Sequence, residues 1–273
     1  MIIVRLIGGL GNQMFQYAMA RHLAEINHTA LKIDLSEFEN YKLHKYSLHH
    51  FKIIEDIASE DDICAMKTIK EKHFHFDPEF REIGDNVLLK GYWHTERYFS
   101  EISTIIRNEI MVKSKLENIN LHLSNLIKDS NSVGLHIRRC DYVPGTYEDQ
   151  ILDPLKLSYY LKAIEKLSEE EKELQFFIFS DDPGWVKDHV KLEYPVVYVD
   201  HNMAETNYED LRLMSLCKHN VIANSSFSWW GAWLNRNPQK KVYAPKEWFN
   251  SNMRNINPRD IIPEAWVKVS SFS

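Results

Sequence analysis

At 273 residues, 44% of them hydrophobic and 26% charged, the chain can form one large globular domain or two modest ones. A formal net charge of −6 leaves no basic excess for a general nucleic-acid binder, although a local basic pocket is compatible with it. Cys64, Cys140 and Cys217 stand far apart, match neither a metal-ligand spacing nor a disulfide framework, and point to a reducing, cytosolic compartment.

Residues 2–7 read as a buried strand, too short and too soon interrupted by Arg5 for a signal peptide. No stretch of the sequence is long enough to cross a membrane. Gly8-Gly9-Leu10-Gly11-Asn12 is a turn, and residues 13–26 place Met14, Tyr17, Ala18, Leu23 and Ala24 at close to helical spacing. A second strand at 29–33 ends at Asp34. This β-turn-α-β start predicts a parallel sheet covered by helices. Ser59-Glu60-Asp61-Asp62 has the pattern of a capped helix start. A short strand is expected at 87–91, and helices at 94–111 and 116–127. From Ser132 a second alternation begins, with strands at 133–137, 174–179, 196–199, 220–223 and 241–244. Helices are expected at 154–171, 183–190, 207–217 and 227–235. The polar run Lys128-Asp129-Ser130-Asn131-Ser132 marks a domain boundary, giving domains 1–130 and 131–273. The fold class is α/β, with two Rossmann-like domains facing a cleft and ligands at the carboxyl ends of the strands.

Four runs could carry chemistry. In His136-Ile137-Arg138-Arg139-Cys140-Asp141, two arginines follow a buried strand, where an anion would offset their cost. Arginine forks well onto phosphate oxygens. The structural alternative is an ion pair at a strand end. Strand alternation puts His136 and Arg138 on one face, and a hydrogen-bonded core histidine is the alternative there. Gly8-Gly9-Leu10-Gly11-Asn12-Gln13 lies where a helix start attracts anions, or else merely turns the chain. It matches only part of G-x-G-x-x-G, because Met14 fills the third glycine position, and it is no P-loop. In Phe179-Ser180-Asp181-Asp182-Pro183 either acid could cap a helix or hold a ribose or base edge. In Asn224-Ser225-Ser226-Phe227-Ser228-Trp229-Trp230-Gly231 three hydroxyls meet a helix start, as an anion site or as simple caps. The two tryptophans are expected to pack between the domains. Aromatic residues reach 12%, which core packing explains by default and a sugar cleft explains as well. The sequence holds no D-x-D, no metal-spaced His/Asp/Glu cluster and no G-x-S-x-G elbow.

Taken together and in order, these runs resemble the α-1,2-fucosyltransferases of glycosyltransferase family 11. The likeness runs from Gly8-Gly9-Leu10-Gly11-Asn12-Gln13-Met14-Phe15-Gln16-Tyr17-Ala18 through Gly91-Tyr92-Trp93-His94-Thr95-Glu96-Arg97-Tyr98-Phe99 and His136-Ile137-Arg138-Arg139-Cys140-Asp141-Tyr142. It continues through Phe179-Ser180-Asp181-Asp182 to Asn224-Ser225-Ser226-Phe227-Ser228-Trp229-Trp230-Gly231-Ala232-Trp233-Leu234. Residues 35–80 and 105–131 carry no assignable motif. The resemblance implies a GT-B fold with an N-terminal acceptor side and a C-terminal GDP-fucose side. It implies inverting, metal-independent transfer of L-fucose from GDP-fucose to the 2-hydroxyl of a terminal galactose, with no cofactor. By the same likeness Arg138 meets the β-phosphate, His136 and Asp181 or Asp182 hold guanosine, and Ser226 with the Phe227 backbone supports the diphosphate. Asn12 lies near the transferred sugar, and Gly11, Gln13, Arg139 and Ser225 complete the binding set. Asp141, then Glu148, are the candidate bases. His94 stands where the family often has glutamine. The partners implied are GDP-fucose and a galactose-terminated oligosaccharide or lipid-linked glycan of O-antigen, lipopolysaccharide or capsule. That places the protein in the cytoplasm, at the inner face of the membrane.

Two other classes stay open on residues alone. A dinucleotide-dependent oxidoreductase would use the glycine turn, with Asp34 near the ribose-binding spacing. A non-catalytic nucleotide-sugar-binding module would bind GDP without turnover.

Overall fold

The computed structural model describes residues 1–139, 154–249 and 256–271. Asp141 and Glu148 lie outside the described residues. The chain divides into two compact units, one of residues 1–114 and 256–263, the other of residues 115–255 and 264–273.

The first unit contains β1 (Ile2–Arg5), α1 (Leu10–Ile26), β2 (Leu31–Asp34), α2 (Glu60–Cys64), β3 (Lys67–Lys70), β4 (Val87–Lys90) and α3 (Ser103–Glu109). Its strands form an all-parallel sheet in the order β2-β1-β4-β3. Ile2, Ile3 and Val4 of β1 are fully buried between its neighbours, and α1 closes one face with Met14, Phe15, Ala18 and Leu23. Apart from the small Ala18, each such side chain contributes on the order of 1.5–3 kcal/mol by leaving water. Ser59 and Asp62 form the expected capping box on α2.

The second unit contains α4 (Asn118–Asp129), β5 (Asn131–Ile137), α5 (Leu157–Glu170), β6 (Leu174–Ser180), α6 (Pro183–His189) and β7 (Val196–Val199). It continues with α7 (Asn207–Leu216), β8 (His219–Val221), α8 (Ser226–Leu234), β9 (Val242–Pro245) and β10 (Val267–Val269). The sheet is again parallel, in the order β10-β9-β8-β5-β6-β7.

Four expectations need correction. The boundary falls at Ser114/Lys115 rather than after residue 130, because α4 packs on α7 and β5 and buries Leu123 and Ile127 in the second unit. The polar run at 128–132 is only the α4–β5 turn. Residues 94–111 are not one helix. They form two short 3-10 turns, Glu96–Tyr98 and Ser100–Ile102, and then α3, because Thr95 caps a new turn by accepting the Arg97 N–H. The edge strands β3 and β10 were not predicted, since Lys-Thr-Ile-Lys and Val-Lys-Val show no apolar run. Trp229 and Trp230 pack inside the second unit, against each other, Trp233 and Trp266.

Candidate active site

Both sheets reverse their strand order once. In the first, the chain leaves β1 for β2 on one side and then builds β3 and β4 on the other. In the second, it goes from β5 to β6 and β7, then returns to place β8, β9 and β10 on the opposite side. At such a reversal the two helical connections leave in opposite directions and open a crevice at the carboxyl ends of the strands. The β1 and β4 loops meet at the first reversal, and the β5 and β8 loops at the second. Those four loops carry four of the runs singled out in the sequence.

At the first reversal, Gly8 has φ +84, and a Cβ there would lie 2.6 Å from Asn12 Nδ2. Glycine therefore lets the Asn12 side chain fold over the turn. Asn12 Oδ1 receives a hydrogen bond from His94 Nε2 at 3.0 Å, joining the β1 loop to the Tyr92-Trp93-His94 loop. Burial drives His94 down to about 3, so the imidazole is neutral and donates through Nε2. Phe15 and Tyr92 pack around it, with ring centroids at 5.0 and 5.3 Å. Gly11 is buried in the first turn of α1. Gln13, expected in the binding set, is engaged by the protein instead. Its Nε2 donates to Gly8 O and Lys45 O at 2.8 and 2.9 Å, and its Oε1 accepts from Ser47 N at 2.9 Å.

At the second reversal, the β5–β6 register sets Ile137 opposite Ser180, so Arg138-Arg139 and Asp181-Asp182 leave the sheet side by side. Arg138 Nε lies 3.2 Å from Asp181 Oδ2, and Asp181 Oδ1 accepts the Arg139 N–H at 2.8 Å. Arg139 Nε lies 3.3 Å from Asp182 Oδ2, and its guanidinium sits 3.5 Å over the Trp185 ring. Asp182 also caps α6 by accepting the Trp185 N–H at 3.1 Å. The capping alternative therefore holds for Asp182, while Asp181 orients Arg138. His136 is 3% exposed, 5.6 Å from the Phe227 ring, and its buried Nδ1 has no hydrogen-bond partner among the described residues. Burial first, and then the Arg138 guanidinium, drive His136 to about 3 against the pull of Asp181, so it too is neutral. From β8 the chain enters Asn224 and Ser225. Ser225 Oγ accepts the Phe227 N–H at 3.3 Å as the N-cap of α8, so that N–H is already engaged. Ser228 Oγ donates to Ser225 O at 3.4 Å, and half-buried Ser226 opens the helix.

Residues 1–270 match the family model for glycosyl transferase family 11. The chain belongs to this family. The α-1,2-colitosyltransferase of Escherichia coli is 35% identical over 294 residues, spanning 98% of both chains. The O-antigen biosynthesis glycosyltransferase WbnK of Escherichia coli is 29% identical, over 97% of this chain and 99% of its own. The galactoside 2-alpha-L-fucosyltransferase SEC1 of Bos taurus is 25% identical, over 83% of this chain and 62% of its own. Among solved structures, the fucosyltransferase NodZ from Bradyrhizobium superposes with a TM-score of 0.53 at 14% identity, over 84% of this chain and 92% of that one. This family 11 chain is a glycosyltransferase with a GT-B type fold of two Rossmann-like units.

The oxidoreductase alternative ends here, and the structure gives its physical reason. Asp34 is 1% exposed and accepts from Arg5 Nε at 2.5 Å and Ser36 N at 2.9 Å, so it is not presented to a ribose. Among the described residues no three His, Cys, Asp or Glu side chains converge as a metal set. No helix among them is long and apolar enough to cross a membrane. Sequence reasoning missed Glu71, whose carboxylate accepts the N–H groups of Tyr92 and Trp93 at 2.7 and 2.9 Å. It also missed Trp185 as the platform for Arg139. The only signal for Trp185 was its place in the first turn after Asp182-Pro183, and Glu71 had none.

Proposed function

We propose that this glycosyltransferase moves L-fucose from GDP-fucose, with inversion, to the 2-hydroxyl of a terminal galactose in a bacterial surface glycan of the O-antigen kind. The observation that carries the reading is the second reversal, where Arg138, oriented by Asp181, lies beside the unfilled Nδ1 of His136 and the capped start of α8. Such a group suits a nucleoside diphosphate. As the sugar C1–oxygen bond breaks, negative charge grows on the departing GDP, and a fixed guanidinium stabilises it without reorganising. The sugar carbon becomes oxocarbenium-like, the acceptor oxygen bonds from the opposite face, and its proton leaves late. His136 and Asp181 address the guanosine, Ser226 the diphosphate, and Asn12 with His94 the transferred sugar. Asp141 or Glu148 takes the acceptor proton. No divalent metal is required, because Arg138 and the helix start supply the positive field. A lipid-linked acceptor puts this work in the cytoplasm at the inner face of the membrane. The names of the relatives above support the linkage and the glycan class.

A second reading is favoured by the 35% identical colitosyltransferase. Colitose is fucose without its 3-hydroxyl, so the same site could serve a GDP-activated 3,6-dideoxy sugar. GDP release from GDP-fucose and from GDP-colitose, measured in EDTA with and without a galactosyl disaccharide, decides between them. Acceptor-stimulated release from GDP-fucose is expected. Release from GDP-colitose alone would replace the donor, and loss of all turnover in EDTA would overturn the metal-independent reading.

A further inference from the structure

The loop that brings His94 to Asn12 is pinned from a segment in which the sequence shows no motif. Glu71 follows β3, and its two oxygens accept the N–H groups of Tyr92 and Trp93 at 2.7 and 2.9 Å. On its other side Gln16 Nε2 donates to Gly91 O at 3.0 Å. Residue 91 must be glycine for this approach, because a Cβ there would lie 2.4 Å from Glu71 Cβ. Trp93 has φ 52, a left-handed backbone that costs a bulky residue on the order of 1–3 kcal/mol. It is held there through its N–H on Glu71 and through its carbonyl, which accepts the Thr95 N–H at 2.7 Å. The next residue is His94, 3.0 Å from Asn12.

We propose that Glu71 is a positioning residue for sugar transfer, its carboxylate holding the Tyr92–Trp93 backbone in the one conformation that sets His94 Nε2 on Asn12. Its part in transfer rests on the function proposed above, whereas its hold on His94 does not. Burial lifts Glu71 to about 7 despite the two N–H bonds. A protonated carboxyl turns a hydroxyl toward one of those N–H groups and loses that bond. Lys70 and Lys72 flank Glu71 in the chain, and Asp77, Glu79 and Tyr98 line with it a cavity of about 410 Å³. Burial, and in smaller part the charge of Glu71, raise the Tyr98 hydroxyl so that it stays protonated, and Lys72 is paired with Glu79. His94, near 3, does not titrate in the same range.

The experiment is a long-range proton–nitrogen spectrum of the imidazoles, with His94 assigned through His94→Gln. In the unsubstituted protein the His94 Nε2 signal is expected to move between pH 8 and 6 with a midpoint near 7, although His94 itself stays neutral. Glu71→Gln is expected to displace that signal and abolish its pH response, and Glu71→Asp, which keeps both acceptor oxygens, to restore the response. A His94 signal indifferent to Glu71→Gln overturns the proposal whatever the enzyme's donor proves to be. If Glu71→Gln unfolds, a Glu71→Asp protein without the pH response overturns it equally. In GDP-fucose transfer, kcat is expected to fall about 10- to 100-fold in Glu71→Gln, with GDP affinity unchanged. An equal loss of GDP affinity would assign Glu71 a merely structural role. Absence of fucosyl transfer in the unsubstituted enzyme would sink the function and leave the spectral result standing.

Discussion

The crevice of the first unit presents an amide and a neutral imidazole, and that of the second presents two arginines matched by two aspartates. Both stand where a parallel sheet reverses its strand order, and both are framed by a strand, a short turn and a helix start. The backbone device is shared, so the side chains just past each strand decide the ligand class. After β1 a left-handed glycine turns Asn12 back over the loop, and Asn12 and His94 offer hydrogen bonds without charge, which suits a sugar hydroxyl. After β5 come side chains of permanent positive charge, which suit phosphate.

The largest expected effect tests the charged side. Arg138→Ala should lower acceptor-dependent turnover about 100- to 1000-fold and weaken GDP binding, read by GDP release and by calorimetric titration. The matching change on the neutral side, Asn12→Ala, should lower transfer about 10- to 100-fold while leaving GDP affinity intact. Equal loss of GDP affinity in both variants would erase the division of labour.

Gly8→Ala should destabilise the first unit by about 1–3 kcal/mol, because a Cβ must enter a left-handed turn and meet Asn12, and thermal unfolding will show it. Acidity should separate the two kinds of buried group. His94 and His136 stay neutral in the folded chain down to about 3, whereas an ordinary histidine takes its proton near 6.5. The histidine contribution is therefore complete above 6.5 and declines as pH falls from there toward 3. Glu71 has the opposite sign, with a folded value of about 7 against an ordinary 4.5. Its contribution is complete below 4.5 and is lost as pH rises through 7. Urea midpoints between pH 8 and 4, compared with those of His136→Asn and Glu71→Gln, should flatten opposite limbs of the profile. The smallest effect on stability belongs to Arg139→Ala, about 0.5–1 kcal/mol in thermal unfolding from the lost Trp185 stacking and half-buried Asp182 pair.

The parts of the site that were legible in the sequence are those whose residue types announce a local backbone event. Gly8, Ser225 and Asp182 mark a turn and two helix starts, and each is found doing that. What was not legible is partnership across the chain. Asp181 meets Arg138 only because the register sets Ser180 opposite Ile137, and no local pattern encodes a register. Gln13 looked like a ligand group because it comes just after the glycine turn, yet its partners at Lys45 and Ser47 lie in a stretch with no periodic signal. Glu71 closes an edge strand guarded by lysines, a pattern that reads as solvated surface. The interruptions within residues 94–103 were hidden because Tyr98, Phe99, Ile102 and Ile106 keep helical spacing while the backbone restarts at Thr95 and again at Ser103.

Residues 256–263 belong to the first unit although nearly all of the second precedes them in the chain. Asp260 accepts the Phe76 N–H and the Arg97 guanidinium, both at 3.0 Å, and these bonds hold its carboxyl below the usual range against its burial. A ribosome finishes the second unit's first five strands before it releases the residue that locks Phe76 and Arg97 in the first. The first unit therefore waits, incompletely tied, until nearly all of the second has been made. A fragment cut at Ser114 would leave Phe76 and Arg97 permanently in that state.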